Sequence, residues 1–179
     1  MGLAEPFEKE KLIVGIIYTT DEQYEKIIEI LEDKFGSIDF MTEEFSFSEE
    51  FSDYYDEELG GAARRKILSF DTLIEPERQA EIKSYTYAVE AEFSVNGDRK
   101  INLDPGFLSH GRLLLATTKK TGFRIPLSDG IYTELTLFYA RGAWQKLPWT
   151  YRDYQSERVQ SFLTTVRKRY LEQRKFKNE

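Results

Sequence analysis

The sequence predicts an α+β protein with a ferredoxin-like split β-α-β core, which an antiparallel β-meander and a C-terminal helix extend. The first observation is the order strand, helix, strand, strand, helix, strand that the hydrophobic patterns indicate for residues 12–103. The second is a set of three strand-like runs after residue 110, and the third is a long apolar stripe at helical spacing near the end. The 179 residues fit a single domain, 1–179.

The core pattern begins with a strand followed by a helix. Leu12–Tyr18 is a short, continuous apolar run rich in β-branched residues, which indicates a central strand buried on both faces. Thr20 and Gln23 have the spacing of a capping box, in which each side chain satisfies a backbone N–H group of the first turn. An apolar stripe at helical spacing follows, and Gly36 predicts the end of the helix.

Three more strands and a second helix complete this pattern. Ile38 to about Phe47 and Lys66–Ile74 each predict a strand. Residues 76–95 predict a helix because Pro76 suits a first helical position, although alternation over residues 85–93 leaves a strand as the alternative. Arg99–Leu103 predicts the fourth strand. Asp104-Pro105-Gly106 after it has the composition of a type II turn.

The meander is predicted at Arg112–Thr118, Phe123–Leu127 and Ile131–Tyr139, and the C-terminal helix at about residues 156–174. A three-residue loop, Ser128–Gly130, is the expected connection of the second and third of these strands.

That loop length fixes which residues face each other. It pairs Leu127 with Ile131 and Phe123 with Leu135, and it places Arg124 opposite Glu134. A two-residue loop would instead place Glu134 among apolar side chains, so we expect the three-residue loop. Between the first two strands, a two-residue Thr121-Gly122 turn would set Lys119 against Arg124, whereas a three-residue loop would not, and the sequence leaves both open.

Residues from about 43 to 61 form an acidic, aromatic-rich insertion. Residues 43–58 contain eight carboxylates and no basic residue, whereas the whole chain has a net charge of −7. The rings in this segment, Phe45, Phe47, Phe51, Tyr54 and Tyr55, indicate that it packs on the protein and is not a disordered tail. We expect a loop with a helical turn near residues 53–59 that ends at Gly60-Gly61.

Composition excludes several classes of function. The net charge of −7 argues against general nucleic-acid binding, which needs a basic surface. With no cysteine and one histidine, His110, the chain cannot form a Cys-ligated zinc site, a thiol nucleophile or a His-rich metal site. No glycine-rich loop with Gly-Lys-Ser/Thr follows a predicted strand, which excludes a P-loop. No signal peptide or membrane-spanning run is recognisable, so we expect a cytoplasmic protein whose oligomeric state the sequence leaves open.

Several runs of the sequence resemble one known family. They are Lys11 to Gly15, Tyr55 to Gly60, Asn102 to Leu108, Leu115 to Lys119, Gly130 to Leu137 and Pro148 to Tyr151. Over nearly its whole length the chain is similar to a family of bacterial and archaeal proteins known as a domain of unknown function, DUF 4416. The resemblance implies no activity, because none is established for the family. The family pattern tends to have His at position 123 and Pro at 152, where this chain has Phe123 and Arg152.

Polar residues in these runs predict a ligand site on one surface of the sheet. The candidate ligand-binding residues are Asn102, Asp104, Lys119, Arg124 and Glu134. The guanidinium of Arg124, aligned by Glu134, can bind a phosphate or carboxylate through two parallel hydrogen bonds. The simpler interpretation is that Asp104 caps a turn, Asn102 bonds to neighbouring backbone, and Arg124 and Glu134 form a cross-strand ion pair.

Other groups near this surface have two interpretations each. His110 could join Asn102 and Asp104, although a single loop histidine is more often structural. Asp104 and Glu134 could share a Mg²⁺ ion with a ligand phosphate, which is the one cofactor that the residues suggest, and the chain's own side chains predict no metal site. Aromatic residues 149–154 could stack on a base or sugar, or could seal the sheet beneath the last helix.

The leading hypothesis is a protein that binds a small anionic or nucleotide-type ligand on the sheet surface, with phosphoryl-type chemistry left open and no catalytic residue assigned. The alternative is a non-enzymatic protein-interaction module, in which the acidic segment 43–58 binds a basic partner.

Overall fold

The computed structural model describes residues 3–175, in which nine strands form one antiparallel sheet. The strands are β1 (Glu10–Tyr18), β2 (Ile38–Met41), β3 (Phe45–Ser46), β4 (Arg64–Ile74), β5 (Ile101–Leu108), β6 (Arg112–Thr117), β7 (Ile125–Pro126), β8 (Tyr132–Ala140) and β9 (Ala143–Lys146). The helices are α1 (Asp21–Phe35), α2 (Phe47–Glu50), α3 (Asp56–Leu59), α4 (Gln79–Glu92) and α5 (Glu157–Lys175). The order across the sheet is β2-β4-β1-β5-β6-β8-β7, with β3 beside β4 and β9 beside β8.

Helices cover both faces of the sheet, so two apolar cores form around β1. On one face, Val14 and Ile16 of β1 pack with side chains of α1 and α4. On the other face, Ile13 packs with side chains of β6, β8 and α5. The strand is therefore buried on both sides, as its continuous apolar run predicts. None of the helices in residues 3–175 is both long and apolar enough to cross a membrane.

The first helix and the second long helix agree with the sequence prediction. The capping box of α1 is present, because Gln23 N donates to Thr20 Oγ1 at 3.3 Å and Thr20 N donates to Gln23 Oε1 at 3.1 Å. Residues 76–78 form a 3₁₀ turn that leads into α4, so the strand alternative for this segment is wrong. The predicted second strand, Ile38 to about Phe47, is divided into β2 and β3, which both pair with β4, and α2 starts at Phe47.

The predicted turn at Asp104-Pro105-Gly106 is wrong, because these residues continue β5. This strand pairs with β1 over its whole length, from Ile101 beside Tyr18 to Leu108 beside Lys11. Eight consecutive backbone pairings outweigh the local turn preference of Pro and Gly. Pro105 has no N–H group to donate, and a strand tolerates such a residue where the neighbouring strand does not pair with it.

The predicted meander is also wrong in its strand order. β8 lies between β6 and β7, and residues 118–124 form a connection in which β6 and β7 do not pair. The three-residue loop is confirmed, since Pro126 pairs with Tyr132 and Leu127 N donates to Ile131 O at 2.9 Å. However, β7 contains only two residues, so Phe123 does not pair with Leu135 and instead stacks on Trp149. Strand β9 was not predicted.

Candidate functional site

A gap in the sheet opens where β5 and β6 diverge. Backbone pairing between them runs only from Gly106–Leu115 to Leu108–Leu113, while β6 remains paired with β8 as far as Thr117. Pro105 cannot donate the next hydrogen bond of the ladder. Gly106 permits the close approach of the strands before they separate, since a Cβ there would lie 2.5 Å from the carbonyl oxygen of Leu114.

At this gap, two side chains of α4 form the backbone hydrogen bonds that a neighbouring strand would otherwise form. The carboxylate of Glu90 accepts a hydrogen bond from Leu103 N at 2.7 Å, and the ammonium of Lys83 donates to Leu103 O at 2.7 Å. Both backbone groups of a buried strand residue are thereby satisfied without a neighbouring strand. The α4 helix thus stabilises the open edge of β5 and contributes charged groups beside it.

A cavity of about 350 Å³ lies over the gap. Residues of β4, β5, β6 and β8 form its floor, α4 and Arg99 contribute to one side, and residues 151–154 contribute to another. The acidic insertion covers it with the rings of Phe47, Phe51, Tyr54 and Tyr55. Its volume falls within the range of small-molecule sites, and its mixture of rings and a few polar groups is typical of them.

A buried arginine, Arg65 of β4, organises the centre of the cavity. Its Nη1 lies 3.3 Å from Asp104 Oδ2, its Nε lies 3.0 Å from Asp153 Oδ2, and its Nη2 donates to the hydroxyl of Tyr154 at 3.4 Å. Its guanidinium lies against Gly15 of β1, where a Cβ would be 2.6 Å from Nη2. Glycine at this position therefore gives Arg65 the space to reach Asp104.

A second charged group lies at the α4 side. Glu90 accepts from Arg99 Nη1 at 3.3 Å, and Arg99 forms two further hydrogen bonds to Glu58, at 2.6 and 2.9 Å. Arg99 Nη1 also donates to Asn102 Oδ1 at 3.2 Å. The amide nitrogen of Asn102 is buried and has no hydrogen-bond partner among residues 3–175.

A third charged group lies at β8. Glu134 Oε2 accepts from Arg124 Nε at 2.7 Å, and only 1% of the Glu134 side chain is exposed. The other two nitrogens of Arg124 donate to Lys119 O at 2.7 Å and to the hydroxyl of Tyr151 at 2.9 Å. All three nitrogens are therefore engaged within the protein. Glu134 Oε1, by contrast, has no hydrogen-bond partner in the described part of the chain, although the buried hydroxyl of Thr136 lies near enough to lower the pKa of Glu134.

Burial shifts the acid–base properties of these groups. It raises the pKa of Glu90, Glu134 and Asp153 above the ordinary carboxyl values, and the nearby charge of Asp104 adds to each rise. Burial likewise raises the pKa of Tyr151, to about 12. Asp104 differs from the three buried carboxyls because 29% of its side chain is exposed. Among the carboxyls that line the cavity, it is therefore the one that a ligand can reach most directly.

The structure brings four of the five predicted residues to this cavity. Asn102, Asp104, Lys119 and Glu134 line it, and Arg124 lies behind Glu134. His110 is exposed in the loop beyond the opposite end of β5 and does not line the cavity, so the alternative that grouped it with Asn102 and Asp104 is wrong and the preferred interpretation as a peripheral loop residue agrees with the structure. Within residues 3–175, no group of three or more acidic or histidine side chains has the arrangement of a metal site.

The aromatic residues near the last helix divide between two roles. Trp149 bonds to Leu135 O through Nε1 at 2.9 Å and stacks on Phe123, so it seals the sheet. Tyr151 lines the cavity, and Tyr154 both lines it and packs in the core beneath α5.

Sequence reasoning did not identify Arg65, Glu90, Arg99 and Asp153 as residues of the site. One signal for Arg65 was present, because it alternates with Ile67 and Ser69 on a strand and so faces the interior. The others come from α4, from the connection before β5 and from a 3₁₀ turn, and only tertiary packing brings them together.

A comparison with protein families decides the classification of the chain. The family model described as "Domain of unknown function (DUF4416)" matches residues 8–170. The chain belongs to the DUF4416 family. The match extends from before β1 into α5, so every residue that lines the cavity lies within the DUF4416 region. No curated protein and no solved structure matches the chain.

Proposed function

We propose that this protein binds a small anionic or nucleotide-type ligand in the cavity over the β5–β6 gap. The observation that carries the proposal is that Asn102, Asp104, Lys119 and Glu134, which are far apart in sequence, line one cavity of about 350 Å³ beneath aromatic rings. An unsatisfied buried polar atom costs roughly 1–3 kcal/mol. A ligand that bonds to Asn102 or Glu134 would offset part of that cost.

The acidic segment supports this proposal more than the alternative of a docking strip for a basic partner. Four of its eight carboxylates, those of Glu44, Glu50, Asp56 and Glu58, bond within the chain. Its rings line the cavity or pack on the sheet, as expected of a cover over a ligand.

We also infer that β1, α1, β2, β4, α4 and β5 form a ferredoxin-like unit within a single domain. Their order in the sheet, β5-β1-β4-β2, and their antiparallel pairing support this inference. The two helices of this unit pack on the same face.

A ligand screen by thermal unfolding tests the proposal, with nucleotides, phosphosugars and Mg²⁺ as probes. A probe at about 100 times its Kd should stabilise the folded protein by roughly 2.7 kcal/mol. Asp104→Asn should reduce the shift relative to its own ligand-free transition, because it removes the reachable carboxylate. Asp33→Asn, on the exposed side of α1, is the matched control and should respond as wild type. If no probe shifts wild type, or if Asp104→Asn responds as the control does, the proposal is wrong.

A further inference from the structure

We infer that the ligand is a nucleoside monophosphate, with its base and ribose over Asp104 and Glu134 and its phosphate at the rim beside Lys119 and Arg152. This inference rests on the proposed binding site and adds the class of ligand and its orientation. The observation behind it is that the cavity differs in charge between its interior and its rim.

The interior contains carboxylates whose neighbouring cations are already engaged. The acidic residues that line it are Asp104, Asp153, Glu90 and Glu134, and the basic ones are Arg65, Lys83 and Arg99. Each of these three cations is already engaged: Arg65 with Asp104 and Asp153, Arg99 with Glu90, and Lys83 with Leu103 O and Glu90. Glu134 in addition has one oxygen without a hydrogen-bond partner within residues 3–175. This part of the cavity suits groups that donate hydrogen bonds, such as amino and hydroxyl groups, and its three lining cations are not free to bind a bare anion.

The rim of the cavity, by contrast, carries unpaired positive charge. Lys119 and Arg152 are exposed, both line the cavity, and neither forms an ion pair with another residue of the described range 3–175. The ammonium of Lys119 lies 5.3 Å from the centre of the Tyr54 ring. A lysine beside an aromatic ring, with a second unpaired cation lining the same cavity, forms a surface that suits a phosphate next to a planar group.

The ligand must therefore have an anionic end, a hydrogen-bond-donating end and a planar part that stacks on one of the rings of Tyr54 and Tyr55, which lie at 86° to each other. Inorganic phosphate has only the first feature, and a phosphosugar lacks the planar part. A nucleoside monophosphate has all three, and its stacking on an aromatic side chain is favourable for every base.

Titration calorimetry with three kinds of probe tests the inference. The probes are AMP, GMP, CMP and UMP, the four matched nucleosides, and inorganic phosphate. At least one monophosphate should bind wild type about tenfold more tightly than its nucleoside, and phosphate alone should not bind in the same range. The double variant Lys119→Gln/Arg152→Gln should bind that monophosphate only as tightly as the nucleoside, with the nucleoside affinity unchanged. Lys120→Gln/Arg141→Gln, which removes two exposed cations outside the cavity, is the control and should bind as wild type.

The outcomes separate this inference from the proposed function. Equal affinity for nucleoside and monophosphate, equal losses of both in the double variant, or binding of phosphate alone would overturn the stated orientation while leaving a ligand site in the cavity. Absence of binding by every nucleotide and nucleoside would overturn the ligand class. In that case, the response of wild type and Asp104→Asn to the other screened probes decides whether the cavity binds a ligand at all.

Discussion

At the scale of single residues, the buried ion pair of Arg124 and Glu134 has a structural role that an exposed pair would not have. Its guanidinium joins β8 through Glu134, the loop after β6 through Lys119 O, and the segment before α5 through Tyr151. The side chains of Arg124 and Glu134 are only 6% and 1% exposed. Arg124 therefore positions three walls of the cavity and holds the carboxylate of Glu134 in place.

We expect Arg124→Met to destabilise the protein by about 3 kcal/mol at neutral pH, because it leaves the buried carboxylate of Glu134 without its cation. Burial already raises the pKa of Glu134, and loss of the opposing positive charge would raise that pKa further. A carboxyl whose pKa is higher in the folded than in the unfolded state costs stability as the pH rises through its folded pKa. The penalty should therefore be smaller at about pH 5 than at about pH 8. Urea unfolding at both pH values measures it.

The matched control is Arg158→Met, which breaks the exposed pair with Glu50. Surface pairs contribute roughly 0–1 kcal/mol, so this change should have a small effect. Equal penalties for the two variants, or an Arg124→Met penalty that grows as the pH falls, would show that the Arg124–Glu134 pair does not have the role described.

Residue-level prediction succeeded where a local pattern was enough. The three-residue loop after β7 follows from keeping Glu134 out of the apolar face, and it brings Arg124 to Glu134. The burial of this pair was not predictable from the sequence, because the residues that shield it from solvent, 149–154, come later in the chain. Arg65 was missed for the same reason: its partner Asp153 is distant in sequence.

At the scale of elements, the divergence of β5 and β6 creates the site. Asp104-Pro105-Gly106 has the local chemistry of a turn, yet β1 holds it extended over the full length of β5. Because Pro105 has no backbone N–H group to donate, the hydrogen-bonded pairing of β5 with β6 ends at Gly106. The same three residues that predict a turn thus mark the point where the sheet opens.

We expect Gly106→Ala to cost about 2 kcal/mol, because the new Cβ would lie 2.5 Å from backbone of β6 and force the strands apart. Gly111→Ala is the control, since a Cβ there meets no atom within 4 Å. Chemical denaturation of both variants provides the comparison. A Gly106→Ala protein as stable as the control would mean that the strands are not in such close contact.

At the scale of the whole molecule, the two faces of the sheet differ in what covers them. One face is filled by α1 and α4, whereas the other is shared between α5 and the cavity covered by the acidic insertion. Hydrophobic periodicity predicted the long helices and the central strands, because burial of an apolar face is encoded locally. The strand order β6-β8-β7 and the position of the insertion over the cavity were not predictable, because both depend on contacts between distant segments.

The central claim is that the cavity over the β5–β6 gap is the ligand site. The most direct measurement is a crystal structure of the protein soaked with whichever of AMP, GMP, CMP and UMP binds most tightly, at a concentration that saturates binding in solution. We expect electron density for this nucleotide beneath Tyr54 and Tyr55, with the ribose and base near Asp104 and the phosphate near Lys119. Density for the nucleotide at another surface, with the cavity free of it, would contradict the claim.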